Sequence, residues 1–234
     1  MAPRPRHALI LADGDAPDRA DLDEAWPGWA DGVDLIVAAD GGVRHAAGLG
    51  LGPVDLWVGD GDSLSTADRD ALQRAGIPME LATEEKDESD TELAVLAAID
   101  RGASRLTVLS PFGGRRLDHA LANALLLGHP RLADRSAVLL AATARVRLLA
   151  APGADGGPVS LSLGGRVGDI VSLLPFAGPA GGVTTTGFAY PLVDEPLEVG
   201  PARGLSNVRF DADASVTIRT GSLLVIETPV TLSG

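Results

Sequence analysis

Apolar and polar residues alternate along the first half of the chain in the pattern of strands separated by helices. Four apolar runs are typical of buried parallel strands, and they cover residues 7–11, 33–39, 56–58 and 106–109. The stretches between them predict helices at residues 66–75, after a possible Ser65 cap, and at 91–100 and 118–127. This alternation predicts a doubly wound α/β domain with a mostly parallel sheet. Ligands of such sheets bind beside the carboxyl ends of the strands.

The pattern changes after residue 135 to short apolar segments between Gly and Pro turns, without a convincing helical period. Seven of these segments are predicted strands, at residues 137–140, 146–149, 159–163, 170–175, 182–186, 215–220 and 223–228. Such spacing indicates an all-β sandwich or barrel. We therefore expect two domains, an α/β domain over residues 1–135 and an all-β domain over residues 136–234.

Composition narrows the classes of function. With 45% hydrophobic residues among 234, the chain can bury a substantial core. It has no cysteine, so any metal is held by oxygen or histidine. A net charge of −13 and 3% aromatic residues disfavour a nucleic-acid partner. The sequence shows neither a membrane-spanning apolar run nor an apolar leader, so we expect a cytoplasmic protein that binds a small molecule or a metal–nucleotide complex.

Three groups of acidic residues stand near the ends of predicted strands. Asp40 follows the second strand, Asp60 and Asp62 follow the third, and a further group contains Asp87 and Asp90. If they converge, two carboxylates about 4 Å apart repel by about 4 kcal/mol at an effective dielectric constant near 20, so a cation is expected. Mg²⁺ bridging to phosphates would supply it. Individually these residues could be turn formers and caps, and Ca²⁺ is a weaker option because the chain has no EF-hand loop.

The loop after the fourth strand is basic and rich in glycine. It comprises residues 113–119 and reads Gly-Gly-Arg-Arg-Leu-Asp-His, followed by a predicted helix. Amides at a helix N-terminus favour a phosphate, and Arg116 would add a positive charge. Asp118 could cap the helix, while His119 could be structural or catalytic. No Walker phosphate loop or dinucleotide fingerprint is present, so residue chemistry alone predicts a metal-dependent enzyme of the phosphoryl-transfer type.

The order of these motifs resembles that of the thiamine pyrophosphokinase family over residues 9–227. The matching segments are Ala-Asp-Gly-Gly, Gly-Asp-Gly-Asp-Ser, Lys-Asp-Glu-Ser-Asp-Thr-Glu, Gly-Gly-Arg-Arg-Leu-Asp-His, Thr-Thr-Gly-Phe-Ala-Tyr-Pro-Leu, Gly-Leu-Ser-Asn and Gly-Ser-Leu-Leu-Val, at residues 39–42, 59–63, 86–92, 113–119, 185–192, 204–207 and 221–225. Two departures are mild: Ser89 stands where threonine is often expected, and Arg115 is additional, which leaves open which arginine faces the phosphate. We choose Arg116.

The resemblance implies an α/β catalytic domain followed by a β-sandwich domain, in a homodimer whose thiamine sites lie between subunits. It also implies that the thiamine hydroxyl attacks the β-phosphorus of Mg²⁺-bound ATP, giving thiamine diphosphate and AMP. The implied metal ligands are Asp40, Asp60, Asp62, Asp87 and Asp90. The implied catalytic residues are Asp60, Asp62, Asp90, Arg116 and Asp118. The implied ATP-binding residues are Asp40, Gly41, Ser63, Lys86, Gly114 and Arg116, and the implied thiamine-binding residues are Ser206 and Asn207.

Two alternatives remain open from the sequence. The chain could be a related diphosphokinase acting on another hydroxymethyl compound, such as a pterin, because the phosphate site could be shared. It could also be a thiamine- or nucleotide-binding regulatory module that keeps the fold without turnover. A screen of acceptors separates the first, and binding without AMP production would support the second.

Overall fold

A parallel sheet organises the first of two structural units, residues 1–142 and 143–234. The computed structural model describes residues 6–83, 85–114, 116–153 and 156–230. The division differs from the expected boundary after residue 135, because the strand Ser136–Ala141 pairs in parallel with the strand that ends at Leu109. Its backbone hydrogen bonds therefore keep it in the first unit, whereas its β-rich sequence alone had favoured the second.

The described part of the first unit has six strands and five α-helices. The strands are β1 (Arg6–Leu11), β2 (Val33–Ala39), β3 (Leu56–Gly59), β4 (Met79–Leu81), β5 (Ala103–Leu109) and β6 (Ser136–Ala141). The helices are α1 (Arg19–Ala25), α2 (His45–Gly48), α3 (Thr66–Arg74), α4 (Asp90–Asp100) and α5 (Leu117–Leu126), with 3₁₀ turns at Asp40–Arg44 and Pro130–Leu132. Every neighbouring pair of strands is parallel, in the order β6-β5-β1-β2-β3-β4.

Strand residues point alternately to the two faces of this sheet, and helices cover both faces. Leu9 and Leu11 of β1 pack on one face with Leu22 of α1 and Leu72 of α3. On the other face α4 packs across β1, β2, β3 and β5. The predicted doubly wound architecture is confirmed. Since β2 to β4 extend on one side of β1, and β5 and β6 on the other, the strand order reverses at β1 and β5, where such sheets form a crevice.

Two helices begin with side-chain caps beside the acidic loops. Ser65 accepts a hydrogen bond from the backbone amide of Asp68, whose carboxylate accepts one from the amide of Ser65, which completes a capping box for α3. Ser89 accepts from the amide of Glu92 at the start of α4. These caps fix where the two acidic loops end and the helices begin. None of the described helices is long and apolar enough to cross a membrane.

The second unit is a sandwich of two antiparallel sheets. Its described strands are β7 (Ala144–Ala151), β8 (Val159–Leu163), β9 (Ile170–Pro175), β10 (Ala180–Thr186), β11 (Glu195–Leu197), β12 (Asn207–Val208), β13 (Ala214–Ile218) and β14 (Gly221–Thr228). One sheet has the order β12-β9-β14-β7 and the other β11-β10-β13-β8. Side chains such as Leu149 and Val225 from the first sheet and Val183 and Val216 from the second share one buried core. The predicted all-β sandwich is confirmed.

Candidate active site

A cleft of about 880 Å³ lies at the carboxyl ends of the parallel strands of the first unit. It is lined by the loops after β1, β2 and β3, by the segment before α4, and by the loop and first turn of α5. The acidic residues in its wall are Asp13, Asp40, Asp60, Asp62, Asp87, Glu88 and Asp90. The loops predicted from the sequence to carry the chemistry therefore converge on one cavity.

Three carboxylates in the cleft lie close enough to share one cation. Asp40, Asp60 and Asp62 each place an oxygen within 4.8 Å of the other two. Asp40 directly follows β2 and has a φ of 43°, a conformation in which Asp is tolerated better than most residues. The indole nitrogen of Trp57 donates a 2.9 Å hydrogen bond to the Asp40 carbonyl and holds this backbone in place. The amide of Asp62 donates to Asp60 Oδ1 at 3.0 Å, which fixes the third loop.

The carboxylate of Asp40 lies in an unfavourable electrostatic environment. Its side chain is buried, and its Oδ1 has no hydrogen-bond partner within the part of the chain that the structure describes. Burial raises the pKa of Asp40, a hydrogen bond with Ser63 opposes this change, and the nearby charges of Asp90, Asp62 and Asp13 raise the pKa further. A buried acceptor with no donor costs about 1–3 kcal/mol. The oxygen-only donor set and the unpaired oxygen of Asp40 therefore fit a hard divalent cation.

Lys86 neutralises two further carboxylate oxygens. Its Nζ lies 3.2 Å from Asp60 Oδ2 and 2.5 Å from Asp90 Oδ1. Burial opposes the charge of Lys86, but its hydrogen bonds to Asp90 and Asp60 outweigh burial and raise its pKa. For Asp60, the backbone hydrogen bond from Asp62 is the main cause of a lowered pKa, which Lys86 reinforces against burial. Asp90 thus binds the lysine, while Asp87 lines the cleft outside the group of three carboxylates.

Arg116 and Asp118 form an exposed pair at the start of α5. Arg116 Nη2 lies 2.6 Å from Asp118 Oδ2, with the two side chains 65% and 64% exposed. The hydrogen bond from Arg116 holds the pKa of Asp118 well below its usual range. The expected cap was wrong, because the N-cap is Arg116, without a side-chain cap hydrogen bond, and Asp118 is the second helical residue. Arg116 and the exposed His119 line the cleft, and Arg115 lies outside the described residues.

The two predicted glycines hold their loops in different ways. Gly41 is buried, and a Cβ there would collide with the carboxylate of Asp13 and the guanidinium of Arg44. Its role is to allow this close packing beside Asp40. Gly114 lines the cleft, and its backbone amide donates a 2.8 Å hydrogen bond to Asp15 Oδ1.

Sequence reasoning missed the loop after β1. Residues 12–15 read Ala-Asp-Gly-Asp, and Asp13 and Gly14 line the cleft. The amide of Gly14 donates to the carbonyl of Ser110, and that of Asp15 to the carbonyl of Phe112, so this loop is joined to the loop after β5. The signal was present in the sequence, since Asp13 follows a predicted strand as Asp40 does. The strand order, which brings the ends of β1 and β5 together, could not be read from the sequence.

Ser206 and Asn207 lie in the second unit, in and beside a small hollow of about 100 Å³ that Tyr190, Leu205 and Asn207 help to line. Asn207 exchanges two hydrogen bonds with the backbone of Tyr190, at 2.7 and 3.1 Å. Ser206 has a φ of 56°, and its amide donates to Ser172 Oγ at 3.0 Å. The side chain of Asn207 therefore joins the two polar turns that the sequence singled out.

Comparison with known protein families matches both units. The model of the thiamin pyrophosphokinase catalytic domain matches residues 28–139, and the model of the thiamin pyrophosphokinase vitamin B1 binding domain matches residues 159–225. The chain belongs to the thiamin pyrophosphokinase family. Four acidic loops, after β1, β2 and β3 and before α4, border the cleft of this family member, and the catalytic-domain match includes three of them.

Individual relatives of this thiamin pyrophosphokinase family member agree in both sequence and fold. Thiamine pyrophosphokinase of Bacillus subtilis is 25% identical over 199 residues, which cover 85% of this chain and 89% of the relative. The crystal structure of that enzyme from Bacillus subtilis has a TM-score of 0.79 at 22% identity, covering 96% and 99% of the two chains. A thiamin pyrophosphokinase family protein from Enterococcus faecalis has a TM-score of 0.76 at 26% identity, covering 95% and 98%.

Proposed function

We propose that this protein transfers the diphosphate of ATP to the hydroxyl of thiamine, giving thiamine diphosphate and AMP. The observation that carries the proposal is the convergence of Asp40, Asp60 and Asp62 in a cleft large enough for a nucleotide, in a chain of this family. The unpaired Asp40 oxygen supports a requirement for Mg²⁺ in that position.

Asp40, Asp60 and Asp62 would hold the Mg²⁺, with Asp87 and Asp90 orienting its water ligands from the wall of the cleft. When bound, the metal offsets the negative charge that develops on the phosphates during transfer. The indole N–H of Trp57, which donates to the Asp40 carbonyl, and the backbone amide of Asp62, which donates to Asp60 Oδ1, hold Asp40 and Asp60 in position. This fixed arrangement avoids reorganisation during the reaction.

The triphosphate would lie between Ser63 and Lys86 on one side and Gly114 and Arg116 on the other. Arg116 is exposed, and its Nε and Nη2 donate to Asp118, so Asp118 would fix the orientation in which the guanidinium meets a phosphate. Because its pKa is lowered, Asp118 is a weak base. We therefore assign Asp118 to the orientation of Arg116.

Ser206 and Asn207 would bind thiamine in the second unit. We further propose a homodimer whose thiamine sites are shared between subunits. Several of the large apolar side chains that the second unit exposes, among them Tyr190, Val193, Val199 and Phe210, support a surface that a second copy covers. A monomeric mass by sedimentation at working concentrations would refute the shared site. We assign the reaction to the cytoplasm, where ATP and Mg²⁺ are available.

The test is incubation of the purified protein with thiamine, ATP and Mg²⁺, followed by separation of the thiamine phosphates and adenine nucleotides. We expect AMP and thiamine diphosphate in equal amounts, and neither product when a chelator is present. ADP with thiamine monophosphate would instead mean attack on the γ-phosphorus. A parallel incubation with a hydroxymethyl pterin tests the acceptor, and binding of ATP with no product in any incubation would indicate a regulatory module.

A further inference from the structure

Lys86 is the only lysine in the chain. The sequence has 19 cationic residues, and the other 18 are arginines. Arginine therefore serves at every other cationic position, and the single ammonium group lies in the wall of the acidic cleft. A chain with so strong a preference for arginine indicates that this position requires a property that arginine lacks.

The contacts of Lys86 place it on one of the three convergent carboxylates. Its Nζ bonds Asp60 Oδ2 at 3.2 Å and Asp90 Oδ1 at 2.5 Å, and its side chain is only 13% exposed. The other oxygen of Asp60 accepts the amide of Asp62 at 3.0 Å. Both oxygens of Asp60 thus accept hydrogen bonds from the protein. A cation that binds Asp60 competes with the lysine for Oδ2.

The chemistry of the two cationic side chains explains the choice. A guanidinium is a broad planar group whose several donors hold a carboxylate in a fixed, two-point geometry. An ammonium is a compact charge on a flexible four-carbon stem, so it can leave one acceptor for another nearby at little steric cost. Lysine therefore suits a cation that must move, and arginine suits one that must stay.

We propose that Lys86 is an exchangeable internal cation, which neutralises Asp60 and Asp90 in the metal-free enzyme and moves to the phosphates when the metal–nucleotide complex binds. This inference rests on the proposed function, because it takes Mg²⁺ and ATP as the ligands. When Mg²⁺ binds without nucleotide, it must displace the Lys86 ammonium from Asp60, and no phosphate is present to accept the ammonium's hydrogen bond. Metal with nucleotide supplies phosphate oxygens for it, so Lys86 couples the binding of the two ligands.

The first test measures the Mg²⁺ affinity of the full-length wild type and of Lys86→Gln by calorimetry, without nucleotide. We expect Mg²⁺ alone to bind Lys86→Gln about tenfold more tightly. In the presence of Mg²⁺, a non-hydrolysable ATP analogue should bind the variant about tenfold more weakly. Arg44→Gln is the matched control, because Arg44 pairs with Asp13 and Asp68 rather than with the three carboxylates, and it should change the Mg²⁺ affinity less than threefold.

An unchanged or weaker Mg²⁺ affinity in Lys86→Gln would overturn the proposal. This outcome is distinct from failure of the proposed function, which would appear as absence of thiamine diphosphate and AMP with the wild type. A second measurement uses the wild-type protein and so does not depend on the folding of a variant. In protein grown with ¹³C-labelled lysine, a single Cε signal reports Lys86, and we expect Mg²⁺ with the ATP analogue to shift it. A signal that stays at its metal-free position in that complex would also refute the exchange.

Discussion

Each structural unit contains a cluster of like charges, and the two clusters differ in how the protein surrounds them. In the first unit, Asp40, Asp60 and Asp62 converge in an open cleft. In the second, three arginines converge on the buried carboxylate of Glu227. Arg145 donates two hydrogen bonds to it at 2.8 and 2.9 Å, Arg147 donates one at 2.6 Å, and Arg209 lies 3.5 Å away; these residues form the arginine cluster.

The two clusters differ in whether the protein places an opposite charge at their centre. Guanidinium groups only donate, and backbone carbonyls satisfy part of this capacity: Arg209 also donates to Leu163 and Ala212, and Arg145 to Gly164, whereas Arg147 Nε and Arg209 Nε have no partner among the described residues. Carboxylates only accept, and Asp40 Oδ1 finds no donor among the described residues. The three arginines share the internal carboxylate of Glu227, whereas Asp40 Oδ1 has no donor among the described residues, as expected of a metal ligand. We therefore expect substitutions in the cleft to change activity and substitutions at Glu227 to change stability.

The largest effect we expect is on activity in the acidic cleft. Asp62→Asn keeps the shape of the side chain but removes one charge from the group of three, and activity should fall at least about 100-fold. Folding should be intact, as judged by circular dichroism and the unfolding midpoint. Asp70→Asn, on the exposed surface of α3, is the matched control and should retain full activity. If Asp62→Asn stays within a few fold of the wild type, the metal-site assignment is wrong.

The arginine cluster should show the opposite behaviour. Glu227→Gln removes the charge that three guanidinium groups share and leaves the buried Arg209 and the partly buried Arg145 and Arg147 without it, so the free energy of unfolding should fall by about 3–5 kcal/mol. Urea denaturation measures this change, and turnover per folded molecule should remain near that of the wild type. Glu195→Gln breaks an exposed pair with Arg203 and should cost at most about 1 kcal/mol. Equal losses in the two variants would contradict the distinction.

Asp40 should oppose stability where Glu227 supports it. Since its folded pKa is raised above the ordinary 3.8, the ionised carboxylate costs stability at neutral pH, and this cost disappears as the pH falls through the raised value. Asp40→Asn should therefore stabilise the metal-free protein by about 0.5–2 kcal/mol at pH 7 while lowering activity as Asp62→Asn does. Thermal unfolding across pH should show the advantage shrinking in acid. An advantage that grows in acid would refute the assigned sign.

The smallest expected effect concerns Arg116. Its pair with Asp118 is exposed, so Arg116→Ala should leave the unfolding midpoint unchanged while raising the KM for ATP about tenfold. Steady-state kinetics at varied ATP measures this change. Arg115→Ala is the comparison within the same loop and should be milder. If Arg115→Ala is the more damaging variant, the phosphate contact belongs to Arg115.

The sequence predicted the parts of the fold that depend on long apolar periods. The strands at residues 33–39, 159–163 and 170–175 match the structure at both ends. The short strands β11 and β12 were missed, and β4 was expected only as a strand without bounds before the third acidic group, because two or three residues carry too little pattern to be distinguished from a loop. The domain boundary shifted because β6 is identified by its pairing with β5, and pairing is a tertiary property.

The candidate site was predictable as a set of loops but not as a set of contacts. Residue chemistry indicated Asp40, Asp60 and Asp62, whose proximity the structure provides. The place of Asp13 depends on strand order, and the engagement of Lys86 with Asp60 depends on the distance between two loops. Both lie beyond what local spacing determines. The bond between Arg116 and Asp118 also replaced the cap that the sequence favoured.

The most direct test of the account follows the two ends of the triphosphate separately. The purified protein is incubated with thiamine and Mg²⁺ and either α-³²P-ATP or γ-³²P-ATP, and the labelled products are separated. We predict that the α label appears in AMP and the γ label in thiamine diphosphate, at equal rates. An α label in ADP, or a γ label released as free phosphate or diphosphate without a thiamine product, would contradict diphosphate transfer in this cleft.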